Sequence, residues 1–292
     1  MYIMIIIILL ITVLVFSPFN GFNSSANQVK HIDVNDYYKN KKEIVEKSKT
    51  NKLENFIIYY EKLNDSIIQK LSNYDLVIIE PRNATKKQIV KLKSAGVKVL
   101  GYTSIVEQNE NNMEFISLRD AWFYKPNGDK MREEQWNSWY MDIREKGYQN
   151  FLFEQIYLHI ENKELDGVFF DTVGDIDDSN WKENDKTEMR KEYTKFLERI
   201  KKNYKDLEIV QNWGLYTAKN YSYKFIDGLL WEGFSFDLLE QDEWSKNKYK
   251  EIQEMNVAFY IVAPSKQKRT RRLINNKTYI YIRDKDIYDD LG

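Results

Sequence analysis

With no cysteine and only two histidines, His31 and His159, in 292 residues, the chain has no thiol nucleophile, no disulfide and no cysteine-rich or multi-histidine metal site. Proton transfer must fall to carboxyl groups, and no metal or cofactor is expected. Three carboxyls close apolar runs: Glu80 in Ile79-Glu80-Pro81, Asp171 in Phe169-Phe170-Asp171, and Glu232 after Trp231. Tyr102, Gln211, Asn212 and Trp213 stand at matching points of other runs. Cleaving a glycosidic bond needs one carboxyl to protonate the leaving oxygen and one carboxylate to act on the anomeric carbon. Asp171 and Glu232 are the candidate pair. Glu232, beside Trp231 and near Trp213, is expected in less polar surroundings as the protonated acid. Asp171, followed by polar Thr172 and Asp175, is expected to be the ionised nucleophile or base.

Five of the seven tryptophans (Trp122, Trp136, Trp139, Trp213, Trp231) fall in the loops or run ends around these acids. Flat indole faces stack on sugar rings while carboxylates and amides take the hydroxyls, so a polysaccharide is the expected partner. Glu80, Tyr102, Trp139, Asp142, Arg144, Asp175, Gln211, Asn212 and Trp213 are the candidate sugar-binding residues. A surface lectin without catalysis would use the same groove. Only an enzyme requires Asp171 and Glu232 to converge.

Eight short β-branched runs position these groups: Phe56 to Tyr60, Leu76 to Glu80, Val97 to Thr103, Gly167 to Asp171, Glu208 to Asn212, Gly228 to Glu232, Val257 to Val262 and Thr278 to Ile282. Helical patterns alternate with them. Thr85 and Gln88 form a capping box, with Gly96 at the far end. Met189, Tyr193, Phe196, Leu197, Ile200 and Tyr204 trace one buried helical face. Such alternation builds either an open doubly wound sheet or a closed barrel. No G-x-G-x-x-G turn follows a strand, which favours a (β/α)8 TIM-type barrel, an α/β fold with its site at the strand C-termini. Between the third and fourth strands only Tyr148 to Asn162 reads as helix, so Ser104 to Gly147 is an elaborated loop.

A 42% hydrophobic content and a net charge of −1 supply a full core and give no electrostatic pull toward nucleic acid. Tyr2 to Phe16 is uncharged and apolar, followed by Pro18 and the small residues Ser24, Ser25 and Ala26. That layout predicts that residues 1–26 are a signal peptide or a membrane anchor, hence a secreted or cell-surface protein. Residues 27–53, rich in lysine, read as a polar linker or first helix, and 54–292 as the barrel domain, expected to be monomeric. Thr172 to Thr187 is acidic and suits a cationic polymer or a solvated loop; its spacing does not match an EF-hand. The Lys266, Lys268, Arg269, Arg271 and Arg272 run reads as the solvent face of the seventh helix. His159 reads as a packed or exposed helix residue.

The runs Tyr74 to Pro81, Gly96 to Ile105, Trp139-Tyr140-Met141-Asp142-Ile143, Leu165-Asp166-Gly167-Val168-Phe169-Phe170-Asp171-Thr172-Val173 and Tyr279-Ile280-Tyr281-Ile282 resemble glycoside hydrolase family 114. That family comprises endo-α-1,4-polygalactosaminidases and relatives, similar to the hydrolase domain acting on the Pel exopolysaccharide. The resemblance spans about residues 54–292 and implies a barrel, export, and a substrate rich in galactosamine or N-acetylgalactosamine. Its two catalytic carboxylates fall on Asp171 and Glu232. The family's second Asp, three residues after the first, is here Gly174, with the acid one later at Asp175. The strand-two acid, often Asp, is Glu80.

Overall fold

The computed structural model describes residues 55–178, 181–264, 278–283 and 288–291. The apolar amino terminus, the lysine-rich segment and the Lys266 to Arg272 run lie outside them. The strands are β1 (Phe56–Tyr59), β2 (Leu76–Ile79), β3 (Lys98–Ser104), β4 (Glu107–Asn109), β5 (Arg132–Glu133), β6 (Ser138–Tyr140), β7 (Gly167–Asp171), β8 (Glu208–Asn212), β9 (Gly228–Trp231), β10 (Ala258–Ala263) and β11 (Thr278–Ile282).

Eight of them form one sheet in the order β1-β2-β3-β7-β8-β9-β10-β11. Every neighbouring pair is parallel. The sheet is nearly closed into a (β/α)8 barrel. Between its first and last strands, Phe56 meets Tyr281 edge-on at 5.9 Å, and the N–H of Tyr60 donates to the carbonyl of Tyr288 at 2.8 Å. The eight expected strands are all present. Tyr60, Glu80 and Glu232 sit one residue past the ladder, and β3 and β10 are displaced one residue onward. Glu80 leaves the ladder because its side chain caps the turn Pro81–Asn83.

Alternation along each strand sorts the core. Phe169, Val210, Leu230 and Tyr260 share one buried cluster, while Phe170, Ile209, Leu229 and Phe259 belong to another. The second lies between sheet and helices: Phe170 packs on Phe196 of the helix Glu183–Asn203, with centroids 6.4 Å apart. That helix buries Met189, Tyr193, Phe196, Leu197 and Ile200, the face its spacing predicts. Thr85 and Gln88 close the capping box on the helix Lys86–Ser94, and Gly96 adopts a left-handed φ of 91° beyond its end. The helix predicted before β7 is Lys146–Tyr157, continued by a π turn, Leu158–Asn162.

The insertion after β3 has more order than a loop. Its strands form a three-stranded antiparallel sheet in the order β4-β6-β5. Trp122 lies under it against Phe151, at 5.8 Å. A Cβ on Gly147 would come within 2.5 Å of the Trp122 Nε1, so glycine there lets the insertion seat on the barrel.

Candidate active site

Because all eight barrel strands run the same way, their carboxyl ends open on one face. The inward parity there is occupied by Tyr60, Glu80, Tyr102, Asp171, Asn212 and Glu232. These residues line one open cleft of about 1650 Å³, together with Glu107, Trp136, Asp175, Trp213, Tyr216, Trp244 and Tyr288. That volume exceeds the ~300 to 1,000 Å³ of an ordinary small-molecule pocket.

The two carboxyls expected to act together meet through one amide. Nδ2 of Asn212 donates to Oδ1 of Asp171 at 2.8 Å and to Oε2 of Glu232 at 3.1 Å. Those two oxygens therefore lie no farther apart than the two bonds laid end to end, about 5.9 Å. Asp171 also accepts from the N–H of Thr172 at 2.8 Å and from the hydroxyl of Tyr102. The phenol of Tyr288 donates to Oε1 of Glu232. Burial first, and then the charges of nearby acids, holds the Tyr60, Tyr102 and Tyr288 hydroxyls well above the usual phenol range, so they remain donors.

One backbone device follows each of these three site residues. Thr172, Trp213 and Gly233 have φ of 64°, 53° and 65°. Left-handed backbone costs a glycine nothing, but it strains a β-branched threonine or a tryptophan by about 1 to 3 kcal/mol. Thr172 is held by its own hydroxyl, which donates to the Asp171 carbonyl at 2.7 Å and accepts from the N–H groups of Ile105 and Val106 at 3.1 and 3.0 Å. The insertion is thus tied to the residue after Asp171.

Asp175 faces the cleft from the turn after β7, and Glu107 faces it from β4. Their carboxyls are hydrogen-bonded to one another, and Glu107 also accepts from the Ser138 hydroxyl. Burial, that bond, and the charges of Glu107 and Asp171 push the Asp175 carboxyl up to about 10. Burial raises Glu107 as well. One proton shared by the pair follows from this geometry. Gly174 explains why the acid comes at 175: a Cβ at 174 would lie 2.8 Å from the Cβ of Trp213.

Four expected sugar-binding residues are not brought to the cleft. Gln211 has the outward parity of Ile209. It is fully buried, accepting from Ser222 at 2.7 Å and Tyr193 at 3.3 Å while donating to the Trp213 carbonyl at 2.8 Å. Trp139 packs edge-on to Phe123 at 6.3 Å, donates to Glu110 at 3.2 Å and lies under the Arg132 guanidinium. Asp142 pairs with Arg144 at 2.7 Å, and Arg144 also pairs with Asp185. Arg144 and Asp185 line a separate depression with Tyr124, Lys125 and Lys182. Trp231 too points outward into the helix layer, against Phe234 at 5.1 Å and Trp213 at 5.3 Å. Among the described residues, Asn212 and Tyr288 hydrogen-bond to Glu232. Glu80 does line the cleft, where Arg82 clamps it at 2.9 and 2.7 Å.

Tyr60, Glu107, Trp244 and Tyr288 were not singled out from sequence. Tyr60 carried a signal, since it closes a strand with inward parity as Tyr102 does. Glu107, Trp244 and Tyr288 lie outside the barrel strands, where no periodicity points. His159 lines the cleft with Phe151, Leu152 and Gln155.

A family model described as glycoside-hydrolase family GH114 matches residues 35–262. No curated protein sequence matches the chain. Among solved structures, the glycoside hydrolase domain of PelA from Pseudomonas aeruginosa is similar, with a TM-score of 0.61 and 16% identity over 73% of this chain and 84% of that one. Ega3 from Aspergillus fumigatus, in complex with galactosamine, has a TM-score of 0.58 and 13% identity over 80% of this chain and 92% of the other. A cycloisomaltooligosaccharide glucanotransferase of Paenibacillus has a TM-score of 0.52 and 14% identity over 72% and 38%. At these identities the likeness shows the barrel alone.

Proposed function

The chain belongs to glycoside hydrolase family GH114, and from that premise we propose that it cuts a galactosamine- or N-acetylgalactosamine-rich polysaccharide internally, with Asp171 and Glu232 as its two carboxyls. The bridge from Asn212 to both acids carries this reading, because it draws them to the separation that bond cleavage needs. An upper bound of about 5.9 Å between the bridged oxygens fits the ~5 to 5.5 Å of retaining enzymes better than the ~6.5 to 9.5 Å that leaves room for a water. Asp171, with three donors on its carboxylate, attacks the anomeric carbon. Glu232 protonates the departing oxygen. Glu232 then takes a proton from the water that releases the sugar from Asp171.

Charge supports an amino-sugar substrate. Among the described residues, the cleft lining holds nine Asp or Glu side chains against four Lys or Arg. Those four cations pair with acids: Arg82 with Glu80, Lys186 with Glu183, Arg190 with Asp177, and Lys248 with Glu251. The net negative charge of these described residues suits a partly deacetylated, cationic polymer. The galactosamine bound by Ega3 supports the same class of sugar. Trp136 and Trp244 line the cleft and are 48% and 51% exposed, giving a polymer stacking faces beyond the central acids. The apolar run Tyr2 to Phe16 supports export, by way of a signal peptide or a membrane anchor.

The test is incubation of the purified protein with defined polymers of galactosamine, N-acetylgalactosamine and glucosamine, with products read by mass. Oligomers released from the first two alone support the reading. Binding without products makes the protein a lectin, and release from glucosamine polymer alone reassigns the sugar.

A further inference from the structure

We infer that Tyr288, contributed by the carboxyl-terminal segment, is a catalytic-site residue whose phenol holds the carboxyl of Glu232 and sets the pH range over which it works. The inference rests on the assignment of Glu232 to the catalytic pair. Tyr288 follows the last barrel strand and is bound there twice. Its carbonyl accepts from the N–H of Tyr60, beyond the end of β1, at 2.8 Å. Its ring packs edge-on to Tyr60 at 5.4 Å and lies 6.5 Å from Tyr281, with the Arg283 guanidinium 5.1 Å from its centroid. Arg283 is itself paired with Asp290 at 3.0 Å. The contacts that span the seam of the barrel therefore also aim one phenol at Oε1 of Glu232.

Oε2 of Glu232 accepts from Asn212. The two oxygens thus have separate partners, and the plane of the carboxyl is fixed between β8 and the carboxyl-terminal segment. A carboxyl that must deliver a proton along one direction gains from such a hold. Among the described residues, the groups that face it include Asp171 from β7, Asn212 from β8, Tyr60 beyond β1, and Tyr288. A negative charge on Asp171 favours the protonated form of Glu232, whereas the Asn212 amide and the Tyr288 phenol favour the ionised form. Removing the phenol tips that balance toward the proton.

Tyr288→Phe keeps the ring, the backbone bond and the packing on Tyr60. The expected result is a fall in kcat of about 10-fold, with the limb of the kcat/KM profile that belongs to Glu232 moved upward by about one pH unit. Thermal melting should stay close to wild type. Tyr281→Phe removes a phenol from the same aromatic group without touching Glu232, and should leave both limbs in place. If Tyr288→Phe leaves the profile unmoved, or if Tyr281→Phe moves it equally, the inference is wrong. Which limb moves is a separate result. An alkaline limb moving upward agrees with Glu232 as the acid. An acidic limb moving upward keeps Tyr288 on Glu232 but exchanges the roles of Glu232 and Asp171.

Discussion

Asp171 ends β7 and Glu232 follows the end of β9, strands that are not neighbours, yet the two share one hydrogen-bond donor, the Nδ2 of Asn212 on the strand between them. The arrangement is a consequence of the barrel. Parallel neighbours put the last inward residue of β7, β8 and β9 side by side, and a left-handed residue after each turns the chain away. A neutral amide in the middle gives each acid a donor and keeps two like charges from facing each other with nothing between.

Replacing that amide should therefore damage catalysis more than folding. Asn212→Ala is expected to lower kcat by about 10- to 100-fold through lost positioning of both acids. Asn212→Asp should lower it further, because it sets a third carboxyl between the two. Steady-state kinetics beside a melting curve decides. Turnover within about twofold of wild type for the alanine variant would show the bridge to be incidental.

The Asp175 and Glu107 pair gives stability a pH dependence of unusual sign. The Asp175 carboxyl is pushed up to about 10, by burial first and then by its bond to Glu107 and the charges of Glu107 and Asp171. A carboxyl raised in the folded state binds its proton more tightly there than in the unfolded chain, where the value is about 3.9. Its contribution is complete below about pH 4 and is lost as pH rises toward 10. Asp175→Asn keeps a donor for Glu107 without the titration. It should melt at least about 2 °C above wild type at pH 9 and no higher than wild type at pH 5. Parallel melting curves for both proteins across that range would contradict a shared proton.

The barrel and the common face of the proposed catalytic pair were legible in the sequence because both depend on short-range pattern. β-branched runs gave the strands, and the place where each run ended gave Glu80, Tyr102, Asp171, Asn212 and Glu232 their common face. The same period of two places Gln211 and Trp231 on the outer side, so proximity in sequence to Asn212 and Glu232 misled for both. The insertion was less legible. Whether Trp136 or Trp139 reaches the cleft depends on how β5 and β6 pair, and Arg144, already paired with Asp142, reaches Asp185 across a sequence separation of 41 that no local signal connects. Glu107 and Tyr288 reach the cleft only through tertiary contacts.

The tryptophans around the cleft should consequently separate into two kinds. Trp136→Ala and Trp244→Ala remove half-exposed faces, and each should weaken polymer binding by about 5-fold or more with melting nearly unchanged. Trp139→Ala removes a ring held by Phe123, Arg132 and Glu110. It should cost about 1 to 3 kcal/mol of stability and leave polymer affinity intact. Binding isotherms and denaturant melts on the three variants test the division. Loss of affinity at Trp139 with normal stability would return the insertion sheet to the binding surface.

The division of labour between the two acids is open to a sharper test than loss of activity. Asp171 accepts from Thr172, Asn212 and Tyr102, donors that suit a carboxylate forming a bond to the anomeric carbon. In the proposed mechanism Glu232 carries the proton for the leaving oxygen. Asp171→Asn and Glu232→Gln should each lower turnover of polymer by a factor on the order of 10² or more, while both variants still bind it. A synthetic substrate with a good leaving group needs no protonation, so it should restore Glu232→Gln far more than Asp171→Asn. Added azide should attack the sugar held on Asp171 in the Glu232→Gln background and give a glycosyl azide of retained configuration, because the first displacement still occurs there. Rescue in the Asp171 variant instead would exchange the roles. If neither substitution alters cleavage of a polymer that the wild type cuts, the catalytic pair lies elsewhere in the cleft, with Asp175 and Glu107 the next carboxyls to test.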